Sequence, residues 1–304
     1  MPNKPAKRRI PARLERRGCT FWIEPHSRTN VRVCIIGDVH LPFHDPAAVE
    51  LALRIIRYVQ PHFLILNGDI VDFHGISRFP VTPIRRLQFP AELRFARRWL
   101  RWLREQLPDV VMIYLAGNHE ERLRSYLWRK AQELSEIDAL RLPELLGLRE
   151  LGIYFAETET EPRGYSDFVA AQVVLGGRLY VLHGHSIRTS GNVVNVARTV
   201  FHRTFVPMLI GHWHRTQHHE ETSYDGSTSG CWVVGCLCFP RPHYDAGRIW
   251  GQGMAVVHLR DQWFRPTLVS FFRRDNQLHA FHEGTLFSVD TTSTPNVPIW
   301  EGAG

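Results

Sequence analysis

The stretch VRVCIIGDVH, residues 31–40, decides the fold, because a short and mostly apolar run ends in Asp38 and His40. Such a run of β-branched and aliphatic residues is typical of a strand that is buried on both faces of a sheet. A helix is predicted to follow, since Asp45 can cap its first turn and Pro46 suits its first position. A buried strand followed by a helix favours an α/β fold, with polar side chains at the strand's carboxyl end.

Four further segments place metal-binding side chains directly after a short apolar run. They are Gly68-Asp69-Ile70-Val71-Asp72, Gly117-Asn118-His119-Glu120, His183-Gly184-His185 and Gly211-His212-Trp213-His214. Open α/β sheets form their active sites at the carboxyl ends of strands, so these segments can meet in one crevice. Asp, Asn and His suit borderline divalent ions, and one carboxylate can bridge two ions about 3.5–4 Å apart. The sequence therefore predicts a hydrolytic centre with two metal ions.

Apolar runs and capping residues extend this alternation of strands and helices along the chain. Strands are predicted at residues 63–66, 110–115, 181–182, 208–210, 231–234, 254–259, 267–272 and 279–281. Helices are predicted to begin near Pro46, Pro90 and Glu120. After His214 the pattern predicts strands alone.

The order D-x-H, G-D-x-x-D, G-N-H-E, H-G-H and G-H-x-H, across residues 37–214, resembles the calcineurin-like metallophosphoesterases. The resemblance implies an α/β fold built as a four-layer α/β/β/α sandwich, in which helices flank two mixed sheets. It also implies a phosphoric ester hydrolase with two divalent metal ions above the strand ends. Mn²⁺ is the expected ion, with Fe²⁺ or Zn²⁺ as alternatives.

The resemblance implies a role for each residue that matches a family motif. The implied metal ligands are Asp38, His40 and His214 for the first ion, Asn118, His183 and His212 for the second, and the bridging Asp69. His119 matches a histidine that acts near the leaving-group oxygen, so it is the candidate general acid, with Asp72 orienting it. A neighbouring carboxylate keeps an imidazole in one tautomer and raises its proton affinity.

Other polar residues near the motifs are candidate substrate contacts. His185 is interpreted as a substrate contact, as a support for a ligand or as a structural histidine. Arg78, Arg85 and Arg86 lie in a proline-containing stretch, residues 73–90, where an irregular segment is often a functional lid. These three arginines are predicted either to bind substrate phosphate or to lie in solvent. Arg122 could reach back to the site or pair with Glu120.

Composition divides the chain into three parts. Residues 1–30 are basic and poor in apolar residues, which predicts an extension that is partly disordered or lies across the surface. Residues 31–282 form the predicted metallophosphoesterase domain. Residues 283–304 have few core-forming residues and are predicted to be a surface tail.

The net charge of +7 makes nucleic acid a candidate partner beside a phosphate-ester substrate. Only three of the 37 basic residues are lysines, and arginine is the better bidentate phosphate ligand. A skew toward arginine also arises from base composition alone. Arginines at 94, 97, 98, 101 and 104 form one helical ridge, interpreted as a solvated face or as a phosphate track.

The functional hypothesis is a metal-dependent phosphoesterase, with a nuclease or nucleotide phosphodiesterase favoured. A small-molecule or protein phosphomonoesterase is the alternative, and a non-catalytic scaffold is a remote one, because every expected ligand is present. The sequence has no Walker A loop, no G-x-G-x-x-G after a strand and no G-x-S-x-G, which disfavours triphosphatases, dehydrogenases and serine hydrolases.

No apolar run approaches the roughly 18–20 residues that span a bilayer, and no signal peptide is evident, so a cytoplasmic protein without membrane partners is expected. Five cysteines argue against a disulfide framework. Cys231, Cys236 and Cys238 are interpreted as buried strand cysteines rather than as a zinc or redox site. Nothing in the sequence defines an oligomeric state.

Overall fold

The structure is a computed structural model that describes residues 10–77, 88–158, 170–187, 189, 193–241, 250–293 and 296–300. The strands are β1 (Ala12–Arg17), β2 (Thr20–Pro25), β3 (Asn30–Ile36), β4 (Phe63–Asn67), β5 (Val111–Leu115), β6 (Ile153–Ala156), β7 (Gln172–Leu175), β8 (Leu179–Leu182), β9 (Met208–Ile210), β10 (Gln217–Thr222), β11 (Thr228–Val233), β12 (Gly253–Arg260), β13 (Trp263–Ser270), β14 (Phe272–Arg274), β15 (Gln277–His282) and β16 (Thr285–Asp290). The helices are α1 (Pro46–Val59), α2 (Phe89–Gln106), α3 (Glu121–Lys130), α4 (Leu142–Leu146) and α5 (Val196–Thr204). Most predicted elements are confirmed, but the strand predicted at 267–272 is the end of β13 and the start of β14.

Two mixed sheets form the centre of the molecule. The six-stranded sheet has the order β13-β12-β3-β4-β5-β6, with β3 to β6 parallel and β12 antiparallel to β3. The seven-stranded sheet has the order β1-β2-β7-β8-β9-β11-β10. The motif loops emerge from the carboxyl ends of β3, β4 and β5 in one sheet and of β8 and β9 in the other.

Strand β3 explains how the two sheets pack. Its successive side chains point to opposite faces. Val33 and Ile35 join the apolar core between the sheets, where they meet Val181 from the seven-stranded sheet. Cys34 and Ile36 join a second core on the other face. A strand buried on both faces requires a continuous apolar sequence, which is why the run at residues 31–36 was informative.

Helices cover the outer faces of both sheets. On the six-stranded sheet, α1 and α2 bury Leu51 and Trp99 in the same core as Leu64. On the seven-stranded sheet, α5 buries Val200 against Ile210. Asp45 caps α1 by accepting a hydrogen bond from the main-chain N–H of Ala47 at 3.0 Å, as the sequence predicted. The predicted four-layer α/β/β/α sandwich is therefore confirmed.

The N-terminal stretch differs from the extension expected at residues 1–30. Strands β1 and β2 form an antiparallel hairpin, and β2 adds to the seven-stranded sheet parallel to β7. Phe21 and Ile23 are almost completely buried between the two sheets. The basic residues of β1 lie on the sheet's edge, where charged side chains discourage pairing with another chain. The high charge of β1 is therefore that of an edge strand.

The C-terminal stretch also contributes to the fold. Strand β16 pairs with β15 in a small three-stranded sheet that packs on α1, where the rings of Tyr58 and Phe287 lie 5.3 Å apart. Val289 and Val297 are each 4% exposed and belong to the same core as α1. Residues 285–290 therefore form a strand and do not belong to the surface tail expected at 283–304. Burial of a few apolar side chains, such as Val289, is enough to hold this short strand on the core.

Among the residues described, no helix is both long enough and apolar enough to cross a bilayer.

We expect Ile23→Ala to lower the free energy of unfolding by about 2–5 kcal/mol, because it leaves a cavity between the two sheets. Glu24→Ala, on the same strand but half-buried, is the matched control and should change it by less than about 0.5 kcal/mol. Urea unfolding followed by circular dichroism measures both. Equal, small effects would show that β2 is not part of the folded core.

Candidate metal centre

Every predicted metal ligand lies in a loop at the carboxyl end of a strand. The structure brings all of these loops together: β3 is followed by Asp38 and His40, β4 by Asp69 and Asp72, β5 by Asn118 and His119, β8 by His183, and β9 by His212 and His214. The main-chain N–H groups of Asp38 and His40 donate to the oxygens of Gly68 and Asp69, at 3.0 and 2.9 Å. Backbone hydrogen bonds thus join the first two loops.

Left-handed backbone geometry recurs in these loops. Positive φ angles occur at Asp38, His40, Asp69, His212 and His214. Non-glycine residues rarely adopt this region, at a cost of order 1–3 kcal/mol each, and such residues cluster at functional sites. In this case the sharp turns let alternate residues of one loop both direct donor atoms into the site, to one cluster for Asp38 and His40 and to separate clusters for His212 and His214.

Two glycines permit the close approach of neighbouring loops. A Cβ atom at Gly68, whose φ is +77°, would lie 2.6 Å from Nδ1 of His183. A Cβ atom at Gly117 would collide with the carboxylate of Asp69. The glycines of two motifs are therefore required by packing at the site.

The first cluster of donor atoms contains Asp38, His40 and His214. Nε2 of His214 lies 3.0 Å from Oδ1 of Asp38 and 3.1 Å from Nε2 of His40. All three side chains are buried. Burial lowers the pKa of His40, whereas His214 outweighs the effect of burial on Asp38 and lowers its pKa. Two imidazole nitrogens and a carboxylate that converge without solvent fit a bound cation.

The second cluster contains Asn118, His183 and His212 around Asp69. Nε2 of His183 lies 3.1 Å from Oδ1 of Asn118 and 3.2 Å from Oδ2 of Asp69. One donor atom of His212 lies within 4.8 Å of those of Asp69 and His183. Nδ1 of His183 donates to the main-chain oxygen of Asn67 at 2.8 Å, which directs Nε2 toward the cluster.

The histidines of the second cluster have opposite pKa shifts. Burial opposes protonation of His183, but the carboxylates of Asp69 and Asp38 outweigh it and raise its pKa to about 10. Burial, reinforced by His183, lowers the pKa of His212 to about 4. A proton on His183 therefore compensates the buried carboxylates, and a metal ion bound there would replace that charge.

Asp69 lies between the two clusters. Its Oδ2 is 3.2 Å from Nε2 of His183 and 3.8 Å from Nε2 of His40. Its Oδ1 accepts a hydrogen bond from the main-chain N–H of His119 at 2.9 Å. This position suits the bridging role implied by the sequence, which stays a prediction.

His119 and Asp72 are adjacent, but their contact differs from a simple carboxylate–imidazole pair. Nδ1 of His119 donates to the main-chain oxygen of Asp72 at 2.9 Å and lies 3.4 Å from its Oδ2. The same Oδ2 accepts from Nδ1 of His40 at 3.1 Å. Hydrogen bonds from these two histidines outweigh burial and hold the pKa of Asp72 far below its usual range. Asp72 therefore orients both imidazoles.

His119 is held so that it can carry a proton next to Asp69. Burial opposes its protonation, but Asp69 and then Asp72 outweigh burial and raise its pKa. Because Nδ1 is occupied by Asp72, the nitrogen available for chemistry is Nε2, 3.8 Å from Oδ2 of Asp69. Nη2 of Arg122 donates to this Nε2 at 2.9 Å.

Arg122 reaches back to the site, which was one of its two predicted roles. Its Nη1 donates to the main-chain oxygen of Asp72 at 2.8 Å and to Oδ1 at 3.3 Å. Ring centroids place His185 beside the second cluster, 5.4 Å from His183, and its Nε2 lies 3.4 Å from Oε2 of Glu121. Arg78, Arg85 and Arg86 lie outside the described residues.

Glu120 is the last residue of the G-N-H-E motif, and the sequence assigned it no role beyond a possible ion pair with Arg122. It is 2% exposed, and its carboxylate accepts hydrogen bonds from five groups. The donors are the main-chain N–H groups of Asp69, Ile70, Val71 and Gly117 and the hydroxyl of Tyr114. Glu120 thus ties the β4 loop to the β5 loop. The only signal in the sequence was the position of this glutamate, at the end of the motif and next to the predicted helix.

Cys238 was also missed. All five cysteines are buried and none forms a disulfide. Cys231 lies on β11, as interpreted from the sequence, but Cys236 and Cys238 lie in the loop that follows it and are not strand residues. One donor atom each from Cys238, His40 and His214 nevertheless lie within 4.8 Å of one another. Position 238 follows β11 in a loop, where sequence spacing gives no indication of its neighbours.

The chain matches one family model and is similar to several known proteins. A family model described as calcineurin-like phosphoesterase matches residues 31–245, which include every predicted ligand. The Gene 54 protein of Mycobacterium phage L5 is 25% identical over 252 residues, 78% of this chain and 92% of its own length. The Gene 54 protein of Mycobacterium phage D29 is 25% identical over 251 residues, with the same coverage. Among solved structures, a Vps29 single mutant from Entamoeba histolytica aligns with a TM-score of 0.39 and 11% identity, over 85% of this chain and 97% of its own.

We expect Glu120→Gln to lower the free energy of unfolding by at least about 2 kcal/mol, because an amide group would face buried N–H donors. Glu121→Gln is the control, since its partly exposed ion pairs contribute at most about 1 kcal/mol. Urea unfolding of the metal-free proteins measures the difference. A loss at Glu120 no larger than that at Glu121 would contradict the anchoring role.

Proposed function

Because the chain belongs to the calcineurin-like phosphoesterase family, we propose that it hydrolyses a phosphate ester with the help of two divalent metal ions. The observation that carries this proposal is the pair of donor clusters, one buried and one partly buried, that share Asp69. A structural role alone would not require carboxylates and imidazoles to converge twice, several of them at strained backbone positions. The proposed ligands are Asp38, His40 and His214 for one ion, Asn118, His183 and His212 for the other, and Asp69 for both.

When bound, the two ions supply a hydroxide at neutral pH and neutralise charge on the phosphate. The chain's own residues orient the ester and handle the proton. Nε2 of His119 accepts a hydrogen bond from Arg122 in this structure. We propose that this nitrogen takes up a proton when Arg122 turns to the substrate phosphate and then gives it to the leaving-group oxygen, while Nδ1 stays held by Asp72. Arg122 touches this nitrogen, so a phosphate oxygen could take over one of its hydrogen bonds in the substrate complex.

Mn²⁺ is the proposed resident ion, with Fe²⁺ or Zn²⁺ as alternatives, because the seven proposed ligands are oxygen and nitrogen donors. His185 is proposed to contact substrate from beside the second cluster. Arg78, Arg85 and Arg86 keep their proposed role as phosphate ligands.

For the substrate, we favour a nuclease or nucleotide phosphodiesterase over a phosphomonoesterase. The net charge of +7 supports a polyanionic substrate. The arginine ridge of α2 gives this less support than its sequence suggested. Arg98 donates to the main-chain oxygen of Ile299 at 3.1 Å, and Arg104 donates to those of Leu107 and Val110, so both have structural roles.

We expect the Mn²⁺-loaded protein to hydrolyse generic aryl phosphate esters, and Asp69→Asn to abolish both turnover and stoichiometric metal binding. The variant removes the charge shared by both clusters. Turnover of nitrophenyl esters and metal analysis by mass spectrometry measure the effect. His218→Ala is the control, because this exposed histidine lies on β10, outside the centre.

Absence of activity with any divalent ion, or full activity in Asp69→Asn, would overturn the proposal. The same preparation should be screened against single- and double-stranded DNA, RNA, cyclic nucleotides and phosphomonoesters. Turnover confined to monoesters would select the alternative substrate class. Binding to DNA that weakens steeply with salt would support contacts to a phosphate backbone.

A further inference from the structure

A half-open pocket of about 410 Å³ lies beside the candidate metal centre, along helix α3. At one end it is lined by Asn118 and Arg122, and at the other by Ser125, Trp128 and Arg129. Its volume falls in the range of small-molecule sites, about 300–1,000 Å³. The pocket is therefore large enough for a group attached to the reacting phosphate.

The inner end of the pocket belongs to the centre itself. Oδ1 of Asn118 lies 3.1 Å from Nε2 of His183, and Arg122 donates to Nε2 of His119 at 2.9 Å. His119 is the proposed donor to the leaving-group oxygen. An ester bound at the metal ions would therefore extend one of its arms past Arg122 and into this pocket.

The outer end carries a large aromatic surface and a positive charge. Trp128 is 49% exposed, and the guanidinium of Arg124 lies 5.2 Å from its ring centroid. Arg129 holds its Nε on the main-chain oxygen of Ser125 at 3.0 Å, which keeps its guanidinium on the same helix face. Residues 122, 125 and 129 follow the spacing of a single helix face.

We propose that this pocket binds the nucleoside attached to the reacting phosphate, with the base against Trp128 and a second phosphate near Arg129. An indole stacks on any flat base, which contributes about 1–3 kcal/mol per base, and arginine suits a phosphate. The inference rests on the proposed function and deepens it, because it names a nucleotide diester as the substrate.

Calorimetry with the metal-loaded protein tests the pocket without relying on turnover. The probes are adenosine 5′-monophosphate and ribose 5-phosphate, which differ only in the base. We expect the nucleotide to bind at least about 10-fold more tightly, Trp128→Ala to remove this difference, and Trp128→Phe to restore part of it. Tyr126→Ala is the matched control, because Tyr126 is an exposed aromatic of the same helix that does not line the pocket.

Equal affinities for the two probes would overturn this inference. Equal losses of nucleotide affinity in Trp128→Ala and Tyr126→Ala would overturn it as well. Failure of the proposed function is separate, because it would appear as metal-loaded protein that binds nucleotides but hydrolyses no ester. Arg129→Ala should weaken the binding of adenosine 3′,5′-bisphosphate more than the binding of adenosine 5′-monophosphate. An identical effect on both nucleotides would remove the second phosphate from the proposal.

A second observation concerns the loop that follows β11. The main-chain N–H of Leu237 donates to the oxygen of Asp38 at 3.1 Å, and the N–H of Asp45 donates to the oxygen of Leu237 at 2.8 Å. These hydrogen bonds fix the loop on the first motif. They place Cys238, which is 2% exposed, with its donor atom within 4.8 Å of those of His40 and His214.

We infer that the Cys238 thiolate is an additional ligand of the ion bound at Asp38, His40 and His214. The S–H proton would leave to solvent as the sulfur–metal bond forms. This inference also rests on the proposed function. A soft thiolate favours Zn²⁺ or Fe²⁺ over Mn²⁺, so it changes the expected resident ion of the first cluster.

Cobalt-loaded protein gives a test that does not depend on activity. We expect a sulfur-to-cobalt charge-transfer band in the near ultraviolet, present in the unmodified protein and in Cys236→Ser but absent in Cys238→Ser. Cys236 is the matched control, because it is equally buried and two residues away. If Cys238→Ser does not fold, each of the other four cysteines is replaced in turn. A band that persists in all four variants then comes from Cys238.

Two results would overturn only the inference of a thiolate ligand. One is protein that binds two cobalt ions per chain but lacks this band, and the other is a band that persists in Cys238→Ser. Protein that binds no cobalt would contradict the metal centre as a whole. Metal analysis on the same samples separates the two results.

Discussion

The geometry of the centre depends on the hydrogen bonds that the buried carboxylate of Glu120 accepts. It accepts hydrogen bonds from the β4 loop, the β5 loop and the hydroxyl of Tyr114. Backbone N–H groups that turn away from a sheet need other partners when they are buried. Glu120 provides one acceptor for several of them, which fixes Asp69 relative to Asn118 and His119. Each remaining part of the site is built on this arrangement.

The charge distribution explains why the same centre would hold cations. Asp38, Asp69 and Asp72 are largely buried within one small region, and like charges at short distance destabilise one another. Histidines provide the only positive charge close to Asp38 and Asp69 among the interactions described for these two carboxylates. A raised pKa of His183 and a lowered pKa of His212 show that the protein distributes this charge unequally. Divalent ions would compensate the carboxylates more completely and leave the imidazoles neutral, as ligation requires.

The sequence predicted the parts of the molecule whose physics is local or repeated. Asp45 capped its helix, the run before Asp38 formed a buried strand, and the ordered motifs identified the family. The hairpin at β1 and β2 was missed because exposed arginines on an edge strand resemble those of a disordered segment. Glu120 and Cys238 were missed for a different reason. The β4-loop partners of Glu120 and the histidines near Cys238 lie far along the chain. Neither spacing nor residue type encodes which distant loop will lie against these two residues.

In our proposal, helix α3 joins the residues of the chemistry to those that select the substrate. Its amino-terminal end follows His119 and Glu120, which are fixed by the sheets and tolerate little movement. Its following turns carry Arg122, then Trp128, which is exposed and free of such constraints. Hydrolysis of any phosphate ester needs the first group, whereas discrimination between esters that carry different arms comes from contacts beyond the phosphorus. A helix that starts in the centre and runs outward beside a pocket can supply those contacts without disturbing the ligands, and this is why we locate specificity on α3.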